Sequence, residues 1–213
     1  MKVFKHIVLA ISGASGVVYG WRLLDYLLHT ANIQTSLLLS ENARLILNEE
    51  CRILLPENPS QARELILQKM ALPPKHAFQV YAPNNWNAPI ASGSGAPDAM
   101  VICPASMNLI AHVACGLSDN LMQRAADVVL KMRRPFIVVP RESPFSTLHL
   151  ENLLKLSQNG AMIFPAAPAF YHHPQNLEHL IDFFIHRILD VLNCAPENTQ
   201  RWGKDLFCQN VVF

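Results

Sequence analysis

Short apolar runs without polar alternation constrain this chain more than any other feature. Met100 to Cys103 and Phe136 to Val139 are apolar at every position. A strand with one wet face alternates apolar and polar residues, whereas a strand covered on both faces does not. Ile7 to Ile11, Thr35 to Leu39, Phe78 to Tyr81 and Ala161 to Phe164 read as further strands. Between them lie stretches of helical period. Val17 to Leu28 places Leu23, Leu24, Leu27 and Leu28 on one helix face, and Asn42 to Cys51, Ser60 to Met70, Leu121 to Met132, Thr147 to Leu156 and Asn176 to Leu192 read likewise. Strands alternating with helices predict an α/β fold, a doubly wound parallel sheet with crossover helices on its faces.

The 213 residues suit a single domain. We assign it to residues 1–194, with 195–213 as a C-terminal tail that loses periodicity. Pro73-Pro74 and the segment from Pro83 to Pro97 mark loops. Apolar residues make up 51% of the chain and charged residues 15%, which leaves little charge for the surface and points to faces covered by other subunits. A formal net charge of +1 gives no global case for nucleic acid or an anionic membrane. The cysteines are Cys51, Cys103, Cys115, Cys194 and Cys208, widely spaced and without a C-x-x-C, so neither a disulfide framework nor a zinc site is expected. Reduced thiols suit a cytoplasmic protein. The apolar run after Met1-Lys2 is too short for a signal peptide, and no stretch is long enough for a transmembrane helix.

Chemistry is expected in the turns that follow strands. Ser12-Gly13-Ala14-Ser15-Gly16 joins the first strand to the first helix. Glycine lets the backbone approach a ligand closely, and a helix start offers N–H groups and the positive dipole end. Ser12 and Ser15 add hydroxyls, which suits a phosphate or a flavin edge. The full G-x-G-x-x-G fingerprint is absent, which disfavours NAD. Ala91-Ser92-Gly93-Ser94 and Cys103-Pro104-Ala105-Ser106-Met107-Asn108 are further loops. The second of these falls at the carboxyl end of a strand, where ligands of open α/β sheets gather.

Arg124, Lys131, Arg133, Arg134 and Arg141 fall close together in a nearly neutral chain. Arg133 and Arg134 are explained by a solvated helix face. Arg141-Glu142 follows a buried strand and lands at the crevice edge. With Tyr171 and Arg187, these cations suit a phosphate dianion. No D-D-x-x-D, H-E-x-x-H or Walker A motif is present, and the adjacent His172-His173 pair points apart on an extended segment, so no metal is expected.

In order along residues 7 to 202, Ile11-Ser12-Gly13-Ala14-Ser15-Gly16, Ala91-Ser92-Gly93-Ser94, Arg124-Ala125-Ala126-Asp127-Val128, Leu130-Lys131, Pro140-Arg141-Glu142 and Pro168-Ala169-Phe170-Tyr171 resemble flavin prenyltransferases of the UbiX type. The resemblance implies a three-layer, Rossmann-like (flavodoxin-like) fold. It implies FMN held by Gly13, Ala14, Ser15, Ser40, Arg141 and Ser106 with its flanking backbone at Ala105, Met107 and Asn108. Tyr171, Arg187 and Lys131 would hold the phosphate of dimethylallyl phosphate, with Arg124, Glu142 and Ser92 nearby. The family glutamate falls on Glu50, with Glu49 beside it. Trp86 and Trp202 match tryptophans near the flavin or the active-site rim. Ala105 and Met107 depart from members that carry cysteine, hydroxyl or other polar residues there. The family forms dodecamers with sites shared between subunits.

The implied reaction joins a dimethylallyl group to N5 and C6 of reduced FMN, giving prenylated FMN for a UbiD-type decarboxylase. Ser15, Glu50, Lys131 and Glu142 are the expected catalytic residues. Two other readings remain. A flavin-dependent decarboxylase of cysteine-derived peptides shares the Pro-Ala-Ser-x-Asn segment, yet its catalytic histidine belongs on the helix after strand two, and Asn42 to Cys51 contains none. An FMN-binding scaffold without turnover would not require Lys131, Glu142, Tyr171 and Arg187 together.

Overall fold

A computed structural model describes residues 6–196 and Thr199. Trp202 and Cys208 lie outside the described residues. The chain divides into two compact units, Phe4–Ala166 and Ala167–Phe213, the latter with Met1–Val3.

The first unit is built on β1 (His6–Ile11), β2 (Gln34–Leu39), β3 (Phe78–Tyr81), β4 (Ala99–Ala105), β5 (Phe136–Pro140) and β6 (Met162–Ile163). All pair in parallel, in the order β3-β2-β1-β4-β5-β6. That order reverses between β1 and β4, the switch point where a crevice opens beyond the carboxyl ends. Register decides what meets there. Ile11 stands opposite Leu39, so Ser12 and Ser40 leave the sheet side by side. Beyond an irregularity in β4, Ala105 stands opposite Pro140, so Ser106 and Arg141 do the same.

Both faces of the sheet are covered, as the unbroken apolar runs require. Val8, Ala10, Met100, Ile102, Phe136 and Val138 share one core with α4 (Met107–Ala114), α5 (Leu121–Lys131) and Leu153 and Leu156 of α6 (Thr147–Gln158). On the opposite face α1 (Val17–His29) packs against β1, β2 and β4. Gly20 permits that approach, because a Cβ there would run into the Cys103 carbonyl oxygen. The remaining helices of this unit are α2 (Glu41–Cys51) and α3 (Pro59–Lys69).

Polar residues start the helices. Ser40, Asn58, Ser106, Asn120 and Ser146 each accept a first-turn N–H from α2 to α6 respectively, satisfying donors that have no intrahelical partner. Two elements differ from the sequence expectation. The sequence marked only the start of α4, whose eight residues are too few to show a sustained period. β6 shortens to Met162–Ile163, since the Ala161 N–H closes the end of α6 on the Leu156 carbonyl.

In the second unit Asn176 caps α7 (Leu177–Val191), which buries Ile181, Phe184, Ile185, Ile188 and Leu189 at helical spacing. His172 stacks on Phe183 with ring centroids 4.0 Å apart, and Tyr171 meets Phe183 edge-on at 5.3 Å. Among the described residues, no helix is long and apolar enough to cross a membrane.

His6 gives the fold a pH dependence. Its Nε2 lies 2.8 Å from Ser36 Oγ, and burial pushes its pKa below the ordinary value, outweighing the upward pull of Asp98. With the folded value depressed, the unfolded chain binds more protons, so this contribution is present above about pH 6.5 and is lost as pH falls through the folded pKa. We expect the loss of urea resistance on moving from about pH 7.5 to 5.5 to shrink in His6→Asn.

Candidate functional site

The turn from Ser12 to Gly16 is the hub of the site. Ser12 is buried and spends its hydroxyl on the scaffold: Oγ donates to the Pro104 carbonyl at 3.0 Å and accepts the Ser106 N–H at 2.7 Å. The sequence reading offered that hydroxyl to a ligand; the structure uses it to tie the β1–α1 turn to the β4–α4 turn. Gly13 sits against α2, and an added Cβ would come within 2.5 Å of Asn42 Cβ. At Gly16 the backbone turns left-handed, with φ of +91°.

A carboxylate occupies the start of α1. Glu50 accepts the Gly16 N–H at 3.1 Å and 2.9 Å through its two oxygens, and the Val17 N–H at 3.1 Å. Part of the donor set expected to meet a ligand phosphate is therefore held by this side chain, whose charge suits the positive end of the helix dipole. These contacts single out Glu50 over Glu49 as the residue facing the turn. Arg141 Nε donates to the Ser15 carbonyl at 3.0 Å, so a glutamate from α2 and an arginine from the end of β5 flank one turn. Glu142 follows, accepting the Ser143 N–H at 3.1 Å.

Beside the turn lies a cavity of about 350 Å³ lined by Ser12, Gly13, Ser40, Ser106 and Asn108. Ser40 and Ser106 accept N–H bonds from Ala43 and Leu109, which leaves each hydroxyl proton free to donate. Ala105 and Met107 turn their side chains into the core, so only their main-chain groups could serve a ligand. Sequence reasoning missed Asn42, Tyr81, Asn120 and Gln123, which also line this cavity. Only Asn120 carried a visible signal, as an N-cap residue ahead of an apolar helix.

The other expected residues gather elsewhere. Arg124 Nε donates to the Ala91 carbonyl at 2.9 Å, and its Nη1 pairs with Asp127 at 2.8 Å. Lys131 Cε lies 3.9 Å from the Cβ position of Gly93, beside Ser92. This group follows the flank of α5 towards the amino edge of the sheet, where Arg134 pairs with Asp98 at 3.9 Å and the Asp98 N–H reaches His6 O at 2.9 Å. Within one protomer the structure thus brings Ser15, Glu50 and Arg141 together and leaves Lys131 apart from them. Trp86 lies in the loop after β3, 49% exposed. Tyr171 and Arg187 belong to the second unit, Arg187 on the exposed side of α7.

Two of the thiols nearest the site are held in their protonated form. Burial pushes Cys103 well above its ordinary pKa, and burial together with Glu50 raises Cys51. Among the described residues, no group of three or more His, Cys, Asp or Glu side chains is gathered as a metal site would be.

A family model described as Flavoprotein matches residues 1–189. The chain is 48% identical over 200 residues to the flavin prenyltransferase UbiX of Pseudomonas aeruginosa, covering 94% of this chain and 95% of that protein. Its fold is similar to that of AnUbiX in complex with FMN and dimethylallyl pyrophosphate, with a TM-score of 0.81, 36% identity, and 93% and 97% of the two chains covered. A dodecameric FMN-dependent UbiX-like decarboxylase from Escherichia coli O157:H7 gives a TM-score of 0.79 at 34% identity, covering 92% and 98%. The FMN-dependent cysteine decarboxylase SpaF shares the fold alone, at 18% identity, a TM-score of 0.52 and coverage of 75% and 83%.

Proposed function

Because the chain belongs to the flavoprotein family, as a flavin prenyltransferase of the UbiX type, we propose that it joins the dimethylallyl group of dimethylallyl phosphate to N5 and C6 of reduced FMN. The product is the prenylated FMN cofactor of UbiD-type decarboxylases. One observation carries the reading: the cavity at the switch point, where Gly13, Ser40 and Ser106 meet beside a turn flanked by Glu50 and Arg141.

The donor set fits FMN. Gly13 lets the turn lie close against α2 at the cavity wall, hydroxyls of Ser40 and Ser106 are free to donate, and the N-termini of α2, α4 and α5 face the same space. Ala14, Ser15, Asn108 and Arg141 complete the proposed cradle. Reduced FMN supplies the N5 nucleophile and the C6 position that closes the fourth ring.

The protein's residues divide the remaining work. Lys131, Arg124, Tyr171 and Arg187 hold the phosphate as it leaves, an electrostatic role commonly worth several kcal/mol. Glu50, fixed by main-chain N–H groups at the turn, holds or moves protons, and Ser15 and Glu142 share that work. Trp86 and Trp202 offer aromatic faces to a cationic allyl group, and Ser92 lines its approach.

The separation of Lys131 from Glu50 supports a site shared between subunits, and a dodecamer is the assembly we propose. Exposed Leu148, Leu150 and Leu154 on α6 give such an assembly apolar surface to cover. A cytoplasmic location belongs to the same reading.

Anaerobic incubation of the purified chain with reduced FMN and dimethylallyl phosphate, read by flavin mass, tests this. We expect the mass of one dimethylallyl group added to FMN; an unchanged mass would return the cysteine-decarboxylase and scaffold readings to contention. A parallel arm with the diphosphate shows which donor is used.

A further inference from the structure

Gln123 stands in the first turn of α5 and is only 6% exposed. Its main-chain N–H donates to the capping Asn120 Oδ1 at 3.0 Å. Its side-chain Oε1 accepts the Asp119 N–H at 2.7 Å. Only the oxygen end of an amide can accept from an N–H, so this bond fixes which way the amide points. The Nε2 end opens to the cavity beside Ser12, Gly13 and Ser106, and it has no acceptor among the described residues.

Gln123 Nε2 is not one of the fully enclosed unpaired polar atoms, so it reaches the open space of the cavity, where an oxygen can accept from it. The Asp119 bond uses only the oxygen end of the amide and leaves its donors to the cavity. The cap residue, the Asp119 main chain and the helix start hold the amide at the wall of this cavity.

We propose that Gln123 is an FMN-binding residue, its Nε2 donating a hydrogen bond to an acceptor oxygen of the nucleotide in this cavity. The assignment rests on the flavin reading above. FMN carries such oxygens at its pyrimidine carbonyls and at its phosphate, and the two are separable by experiment.

The full-length apoprotein is titrated with FMN and with riboflavin, in parallel for wild type, Gln123→Glu and Gln123→Met, at about 0.5 M salt to screen added charge. Gln123→Glu keeps an acceptor for the Asp119 N–H and loses the amide donor, and circular dichroism shows that it is folded before it is titrated, since a largely buried carboxylate lowers its melting temperature. Gln123→Met loses both without adding charge. Both variants should bind FMN about tenfold or more weakly, the loss of one well-placed hydrogen bond. A ring-carbonyl contact weakens riboflavin by the same factor; a phosphate contact leaves riboflavin unchanged. FMN affinity equal to wild type in a folded variant overturns the assignment. Should Gln123→Met fail to fold, Gln123→Glu decides alone. Wild type that binds neither flavin overturns the flavin reading, and this role with it.

Discussion

Oligomers assembled from an equal mixture of Glu50→Gln and Lys131→Ala subunits should regain about a quarter of the wild-type flavin prenylation that each variant alone has lost. Each single substitution is expected to lower the rate by about 10²–10³, the usual effect of removing a preorganised charge from a transition state. The geometry explains why mixing should rescue them. Glu50 holds the Gly16 and Val17 N–H groups at the carboxyl edge of the sheet. Lys131 ends α5, about 12 Å along the helix axis from Gln123 at the cavity. The pairing of Arg134 with Asp98 marks that end of α5 as the amino edge. From His6 to Ser12 the strand spans about 20 Å, further than a lysine side chain reaches.

If a neighbouring copy supplies Lys131, random mixing in a closed symmetric oligomer leaves roughly a quarter of the sites with both groups intact. If one protomer supplies both, no mixture exceeds the separate variants. Prenylated flavin measured against subunit ratio distinguishes the two. A Lys131→Ala variant that alone keeps wild-type activity would remove this residue from the mechanism altogether.

Gly20→Ala should be among the most destabilising single substitutions in the first unit, lowering stability by about 2–3 kcal/mol through overpacking. Alanine normally improves a helix by about 1 kcal/mol over glycine, so the sign is a sharp test. The Cβ would run into the Cys103 main-chain oxygen and lie 3.0 Å from both Ile11 Cγ1 and Cδ1. Main chain cannot rotate aside, so α1 would have to lift from the sheet. For a chain of this size that corresponds to a fall in melting temperature of roughly 8 °C. Gly93→Ala is the control: its nearest neighbour is the flexible Met132 Sδ at 3.2 Å, which can give way. Denaturant unfolding at one fixed protomer concentration measures both. A Gly20→Ala protein as stable as wild type would mean that α1 does not press on β4 as described.

The sheet was legible in the sequence because burial on both faces leaves a local imprint. Met100 to Cys103 and Phe136 to Val139 admit no polar residue, and the segment Cys103 to Asn108 reads as the start of a helix, which Ser106 caps. Gly13, Ser106 and Arg141 were legible as site candidates for a similar reason: each follows a strand, and parallel strands end on one edge, whereas Ser40 came only from the family resemblance. Tertiary structure alone decided which of them meet. Register set Ser12 beside Ser40 and Ser106 beside Arg141, and chain crossing brought Glu50 to a helix start far from it in sequence. It also turned Ser12 from ligand donor to scaffold tie, and carried Lys131 to the other edge along a helix whose direction no local pattern records. Propensity and burial act on neighbours in the chain, whereas a hydrogen bond between distant residues depends on where the whole backbone has gone.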